Sequence, residues 1–214
     1  MTLPGYGPAS PLDHPSWSAI LEDLLPLVRE ELGEGGALVG FSLGGLVAFL
    51  LSAHLQDKVQ ELVLVEPGIV PGPWLTLSMA EIYKSRSGDK ERGLFHNTGR
   101  GFRRIHDVAS FPAKAMEIAL ACDAKSDLGT QRALVLGAAD LHPLPFKQVN
   151  SRVLLVRGSS SGWLMKAAQI VLLYKFQSAS TTVIENAGHW VANEKDAELA
   201  ETINSFVRRS PRAR

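Results

Sequence analysis

The stretch that most restricts how this chain can fold is Gly40-Phe41-Ser42-Leu43-Gly44-Gly45. Ala37-Leu38-Val39 leads into it and Leu46-Val47-Ala48-Phe49-Leu50-Leu51 leaves it, both apolar. This is G-x-S-x-G between a strand-like and a helix-like run, the pattern of a nucleophile elbow, in which a serine is exposed at the apex of a tight strand-to-helix turn. Glycines suit such a turn because the serine backbone is strained and helix and strand pass close together. Gly40 and Gly44 are expected on the two sides of Ser42 where a side chain would clash. The competing reading of the same residues is a glycine-rich turn whose serine only caps the following helix.

A chain of 214 residues, 45% hydrophobic and 21% charged, fits one globular domain with a substantial core. The formal net charge is zero, so nothing electrostatic points to nucleic acid or to an anionic membrane. The lone Cys122 excludes an intrachain disulfide and any multi-cysteine metal site. No apolar stretch has the length of a membrane span. The first ten residues lack the basic and apolar regions of a signal peptide, so a cytoplasmic location is expected. The basic tail 208–214 reads as a solvated end.

Periodicity places the remaining elements. Ser16 to Leu32 has helical spacing, with Ser16 or Ser18 to cap it, Gly33 to end it, and Pro26 expected to kink or split it. Buried strands are expected near 37–41, 59–65, 153–157 and 181–184, with helices over 43–54, 163–176 and 196–207. Leu199, Ile203 and Phe206 share one face of the last helix. Nearly all-apolar strands alternating with helices indicate a parallel α/β sheet covered on both faces. From Ile69 to Phe146 prolines punctuate short helical segments, 74–83, 113–121 and 130–136, and the charged, glycine-rich stretch 84–107 reads as loop.

Four pieces of the chain resemble the α/β-hydrolase family: Leu3-Pro4-Gly5-Tyr6-Gly7, the elbow at 40–44, the strand Val153 to Gly158 with its terminal glycine, and Asn186-Ala187-Gly188-His189-Trp190 after the last strand. The order serine then histidine fits as well. The resemblance implies a truncated α/β-hydrolase fold with a mostly parallel sheet of about four core strands. The core would be 1–68 and 147–214, with 69–146 a helical cap inserted between core strands. It also implies departures. The strands that normally precede Pro4-Gly5 are absent, and with them the His-Gly loop that supplies half of an oxyanion hole, leaving the backbone N–H of Leu43 as one donor.

A serine hydroxyl needs a base to act as a nucleophile at neutral pH, and imidazole suits the task. His189 is the histidine placed for it; His14, His54, His96, His106 and His142 fall in helices, cap or loops. The acid is less direct. Most of the family carries an aspartate just beyond the glycine ending the penultimate strand, and here Ser161 stands in Gly158-Ser159-Ser160-Ser161-Gly162. Glu66, at the end of the strand after the elbow, is the substitute, with Asp140 a poorer one and loss of the acid a third outcome. Two functional classes remain open. One is a serine hydrolase acting on an ester, thioester or related acyl bond of a small apolar substrate. The other is a catalytically impaired relative that binds a small apolar ligand or a partner chain. No metal cluster, phosphate loop or dinucleotide fingerprint is present in the sequence, so no cofactor is expected. The unblunted apolar strand 37–41 would border the sheet, which makes self-association through that edge an expectation unless residues 1–10 pair along it.

Overall fold

Three mostly apolar runs and a fourth rich in serine and threonine pair into a single sheet. The computed structural model of the protein describes residues 2–69, 117 and 125–209. The strands are β1 (Gly36–Phe41), β2 (Val59–Val65), β3 (Arg152–Gly158) and β4 (Ala179–Ile184). They lie in the order β1-β2-β3-β4, and every neighbouring pair is parallel. Each crossover carries helix: α1 (Trp17–Leu32) precedes β1, α2 (Leu43–Leu55) joins β1 to β2, and α3 (Leu128–Gly137) lies before β3. Then α4 (Trp163–Lys175) joins β3 to β4, and α5 (Val191–Glu194) and α6 (Asp196–Arg208) close the described chain. The strands and helices expected in these regions are all present, with ends displaced by a residue or two. None of the described helices is long and apolar enough to cross a membrane.

The period of two along the strands sorts the core into two layers. Leu62 and Leu64 of β2 and Val153 and Leu155 of β3 face a cluster built with α1, α2 and Leu172 of α4. Val63, Val65, Leu154 and Val156 face the opposite cluster, closed by Val191 and Leu199, with Ile203 and Phe206 packed against it. On the first face Phe49, fully buried, meets the rings of Phe146 at 4.9 Å and Phe176 at 5.6 Å. Burying each such side chain is worth about 1.5–3 kcal/mol.

The first helix begins as expected, with Ser16 Oγ accepting from the Ala19 N–H at 3.2 Å, and ends on Gly33 at φ 53°. Pro26 does not split it: α1 runs unbroken from Trp17 to Leu32. The reason is its face. Pro26 and Glu22 are both exposed, so the carbonyl that proline deprives of its donor looks into water.

Residues 2–10 do not extend the sheet. Gly5 and Gly7 have φ of 74° and 53°, and Tyr6 N–H donates to the Leu3 carbonyl, so the segment is a series of turns. It is tied to the start of α3, where Asp127 N–H donates to the Gly5 carbonyl at 2.7 Å and Gly7 N–H to Ser126 Oγ at 3.0 Å. Among the described residues, no strand pairs with the outer side of β1, and Val39 at its centre is 51% exposed. The sheet is therefore covered on both faces at β2 and β3 but not throughout β1.

The helices expected at 74–83 and 113–121, the loop 84–107 and Cys122 lie outside the described residues, Glu117 excepted. The described end of the expected cap, 125–146, packs onto the body: Leu134 is buried in the cluster of α1 and α2, and its carbonyl accepts from Trp17 Nε1 at 2.9 Å.

Candidate active site

At the end of β1 the chain turns sharply enough that Ser42 adopts φ 51°, ψ −118°. A left-handed backbone at a non-glycine residue costs on the order of 1–3 kcal/mol and persists only where the surroundings hold it. Here Ser42 N–H donates to the Val65 carbonyl at 3.0 Å, and the Ser42 carbonyl accepts from Gly45 N–H at 3.0 Å and Gly68 N–H at 2.8 Å. A Cβ on Gly40 would overlap the Gly44 carbonyl and come within 2.7 Å of Gly45 Cα. The second crowded glycine is Gly45 and not Gly44: a Cβ on Gly45 would lie 2.9 Å from Pro67 Cβ, whereas Gly44 faces open space. The α2 helix thus passes close to β1 on one side and to the Pro67 turn on the other.

Ser42 sits at the N-cap position of α2 but makes no side-chain capping bond. The hydroxyl of this partly buried serine instead meets His189 Nε2 at 3.1 Å. That contact removes the reading in which the serine serves only as a helix cap. Leu43 N–H, the first amide of α2, has no acceptor within the helix and points from its positive end.

The two neighbouring strand tips continue the pattern. Glu66, directly after β2, has φ 45°, and its N–H donates to the Val156 carbonyl at 2.8 Å, extending the β2–β3 ladder by one bond. Its side chain is fully buried. Oε2 accepts from His189 Nδ1 at 3.2 Å, and Oε1 accepts from Gly158 N–H at 2.8 Å and from the Ser161 hydroxyl. A buried carboxylate without donors would be costly; this one has three.

The histidine loop is bonded to the loop after β3. Ser159 N–H donates to the Ile184 carbonyl and Ser160 N–H to the Ala187 carbonyl, both at 2.9 Å. Asn186 N–H donates to Ser159 Oγ at 2.9 Å, and Gly188 N–H to Glu194 Oε2 at 2.9 Å. Gly158 permits this approach, since a Cβ there would run into the Ala187 and Gly188 carbonyls. Phe41, with its ring centroid 5.2 Å from the His189 ring, and Trp190, at 5.9 Å, pack against the imidazole. His189 is left 8% exposed.

The structure therefore brings Ser42, His189 and Glu66 into one hydrogen-bonded line, with Leu43 N–H beside the serine. Asp140 stands exposed in the turn Ala138–Leu141, and the imidazole takes Glu66 instead. Of the other described histidines, His14 is exposed and His54 Nδ1 bonds the Leu50 carbonyl at 2.8 Å within α2. Ser161, read from sequence only as a missing acid, touches the acid itself. The signal that could have found it is its position: it occupies the loop place of the usual carboxylate, so a hydroxyl there is within reach of a carboxylate arriving from the next strand.

Comparison with known proteins bears on the fold and the family. The model of the alpha/beta hydrolase family matches residues 1–202. The sn-1-specific diacylglycerol lipase ABHD11 of mouse is 24% identical over 212 residues, covering 95% of this chain and 68% of the relative. Among solved structures, MenH from S. aureus superposes with a TM-score of 0.78 at 18% identity, over 97% of this chain and 82% of that one. A thermophilic esterase from Thermogutta terrifontis does so with a TM-score of 0.72 at 19% identity, over 96% and 77%. With a family match that runs from the N-terminal turns into the first half of α6, the chain belongs to the alpha/beta hydrolase family.

Proposed function

We propose that this protein is a serine hydrolase that cleaves an ester, thioester or related acyl bond of a small apolar substrate through Ser42, His189 and Glu66. The observation that carries the reading is the continuous line Ser42 Oγ, His189 Nε2, His189 Nδ1, Glu66 Oε2, with contacts of 3.1 and 3.2 Å. Relatives named as a lipase and an esterase support the acyl-bond class.

In this reaction Ser42 Oγ attacks the acyl carbonyl while its proton passes to His189 Nε2. Nδ1–H donates to Glu66 Oε2, which fixes the tautomer with Nε2 free to accept and stabilises the imidazolium that forms. Leu43 N–H donates to the developing oxyanion. The imidazolium then protonates the leaving group, and a water activated by His189 releases the acyl group from Ser42. Serine and imidazole supply nucleophile and base, so the reaction needs no cofactor, and a cytoplasmic location is part of the same proposal.

The test is labelling with a fluorophosphonate, which requires an activated serine and no knowledge of the substrate. The expected result is stoichiometric modification of Ser42, lost in Ser42→Ala. Absence of labelling in the folded native chain would favour the other reading, a relative that binds a small apolar ligand or a partner chain without turnover.

A further inference from the structure

Glutamate has one more rotatable bond than aspartate, and its carboxylate can swing about the last of them. A hydrogen bond from one donor restrains that rotation, and a second donor to the same oxygen restrains it further. In this site both non-histidine donors fall on Oε1: Gly158 N–H at 2.8 Å and the Ser161 hydroxyl. Oε2 is then left to His189 Nδ1. The Gly158 amide belongs to the strand end and is present whatever side chain follows. Ser161 Oγ is the side-chain member of the clamp, and Ser161 is buried, 3% exposed. The adjacent serines have other tasks, since Ser159 and Ser160 bond the β4 tip and the histidine loop. Ser161 N–H is turned back on the Gly158 carbonyl at 3.3 Å, which closes the loop and holds the hydroxyl where it stands.

We propose that Ser161 is a positioning residue that acts through Glu66: its hydroxyl, with Gly158 N–H, locks the carboxylate so that Oε2 holds the His189 imidazole in line with Ser42. The side chain at the place of the usual loop acid thus still serves the histidine, at one remove. This inference rests on the Ser42–His189–Glu66 reading and adds a residue to it.

A double-mutant cycle tests it, read as the rate of Ser42 phosphonylation by a fluorophosphonate. A hydrogen bond to a charged group is worth enough that Ser161→Ala is expected to slow labelling by about tenfold to a hundredfold. In the Glu66→Gln background the same change is expected to slow it by less than about twofold, because the group through which Ser161 acts is already neutral. Ser161→Cys, which keeps the volume but donates weakly, is the second variant and is expected to behave in the same direction. Thermal melting of each variant separates loss of fold from loss of alignment. A full-rate Ser161→Ala or Ser161→Cys protein would overturn the proposal, as would an equal loss in both backgrounds, the signature of a merely structural role. Failure of the underlying reading looks different: Ser42 in the native chain is then not labelled at all.

Discussion

The strands that carry Ser42 and Glu66 lie side by side, in register from Ala37 opposite Glu61 to Phe41 opposite Val65, yet they are held in different ways. Strand β2 has partners on both sides and helices on both faces, and Glu66 at its tip is fully buried. Strand β1 has one partner among the described residues, and Val39 at its centre is half-exposed. The acid is held by burial and by donors from three directions. The serine is held by backbone bonds to Val65, Gly45 and Gly68 and by the close passage that Gly40 and Gly45 allow. On the proposed mechanism a nucleophile has to be reachable and an acid does not, so the less covered strand would carry the reacting atom without loss of alignment.

The largest effects are expected on the proposed catalytic line. Ser42→Ala should abolish phosphonylation and lower hydrolysis of an activated ester by about six orders of magnitude, down to what binding and the oxyanion donor provide. Glu66→Gln should keep the fold and lower kcat by about four orders of magnitude, because an amide can donate to Nδ1 and favour the wrong imidazole tautomer. An equal and small loss in both variants would mean that the two strand tips do not act on one reaction.

Next come the glycines that hold the serine. Gly40→Ala and Gly45→Ala force a Cβ into backbone or Pro67, and each should destabilise the protein by about 1–3 kcal/mol, read by urea denaturation. Gly44→Ala meets nothing, and in a helix alanine should be neutral or stabilising by up to about 1 kcal/mol. If Gly44→Ala proved the most damaging of the three, the tight passage of α2 would lie at Gly44 rather than at Gly40 and Gly45.

These contrasts also separate what the sequence announces from what it hides. Strands β1, β2 and β3 were legible because each is mostly apolar and bounded by glycine, proline or polar turns, while β4, half of it serine and threonine, showed through its β-branched run Thr181 to Ile184. Ser42 and His189 were legible because each follows such a run in a glycine-containing turn. Glu66 was legible from its place at a strand end beside the elbow. What could not be read depends on direction rather than on residue type. Consecutive glycines do not reveal that Gly45 faces Pro67 while Gly44 faces open space. Pro26 signals a break, and only the exposure of its face lets α1 continue. Three serines in a row look like loop, and only the place of the third at the usual acid position hints that it reaches across to a carboxylate that lies 95 residues earlier in the chain.

The smallest effect on activity, and the most direct probe of the less covered strand, is expected at Val39. Among the described residues no strand pairs with the outer edge of β1, which runs along Ala37, Leu38, Val39, Gly40 and Phe41 with no lysine or proline to blunt it. Residues 2–10, which could have covered it, are folded into turns against α3 instead. A helix can cover a sheet face, but it cannot satisfy strand backbone groups. The 214-residue chain is therefore expected to self-associate along this edge, visible as concentration-dependent mass in size-exclusion chromatography with light scattering. Val39→Lys places a charge at the exposed centre of the strand. It should shift that equilibrium toward monomer, change stability by no more than about 0.5 kcal/mol, and leave Ser42 labelling unchanged within twofold, roughly the limit for a surface change away from the site. A native chain that stays monomeric at high concentration, with rapidly exchanging amides along Ala37 to Val39, would show that the edge is neither paired nor adhesive, and that the elbow needs nothing on its outer side to hold its shape.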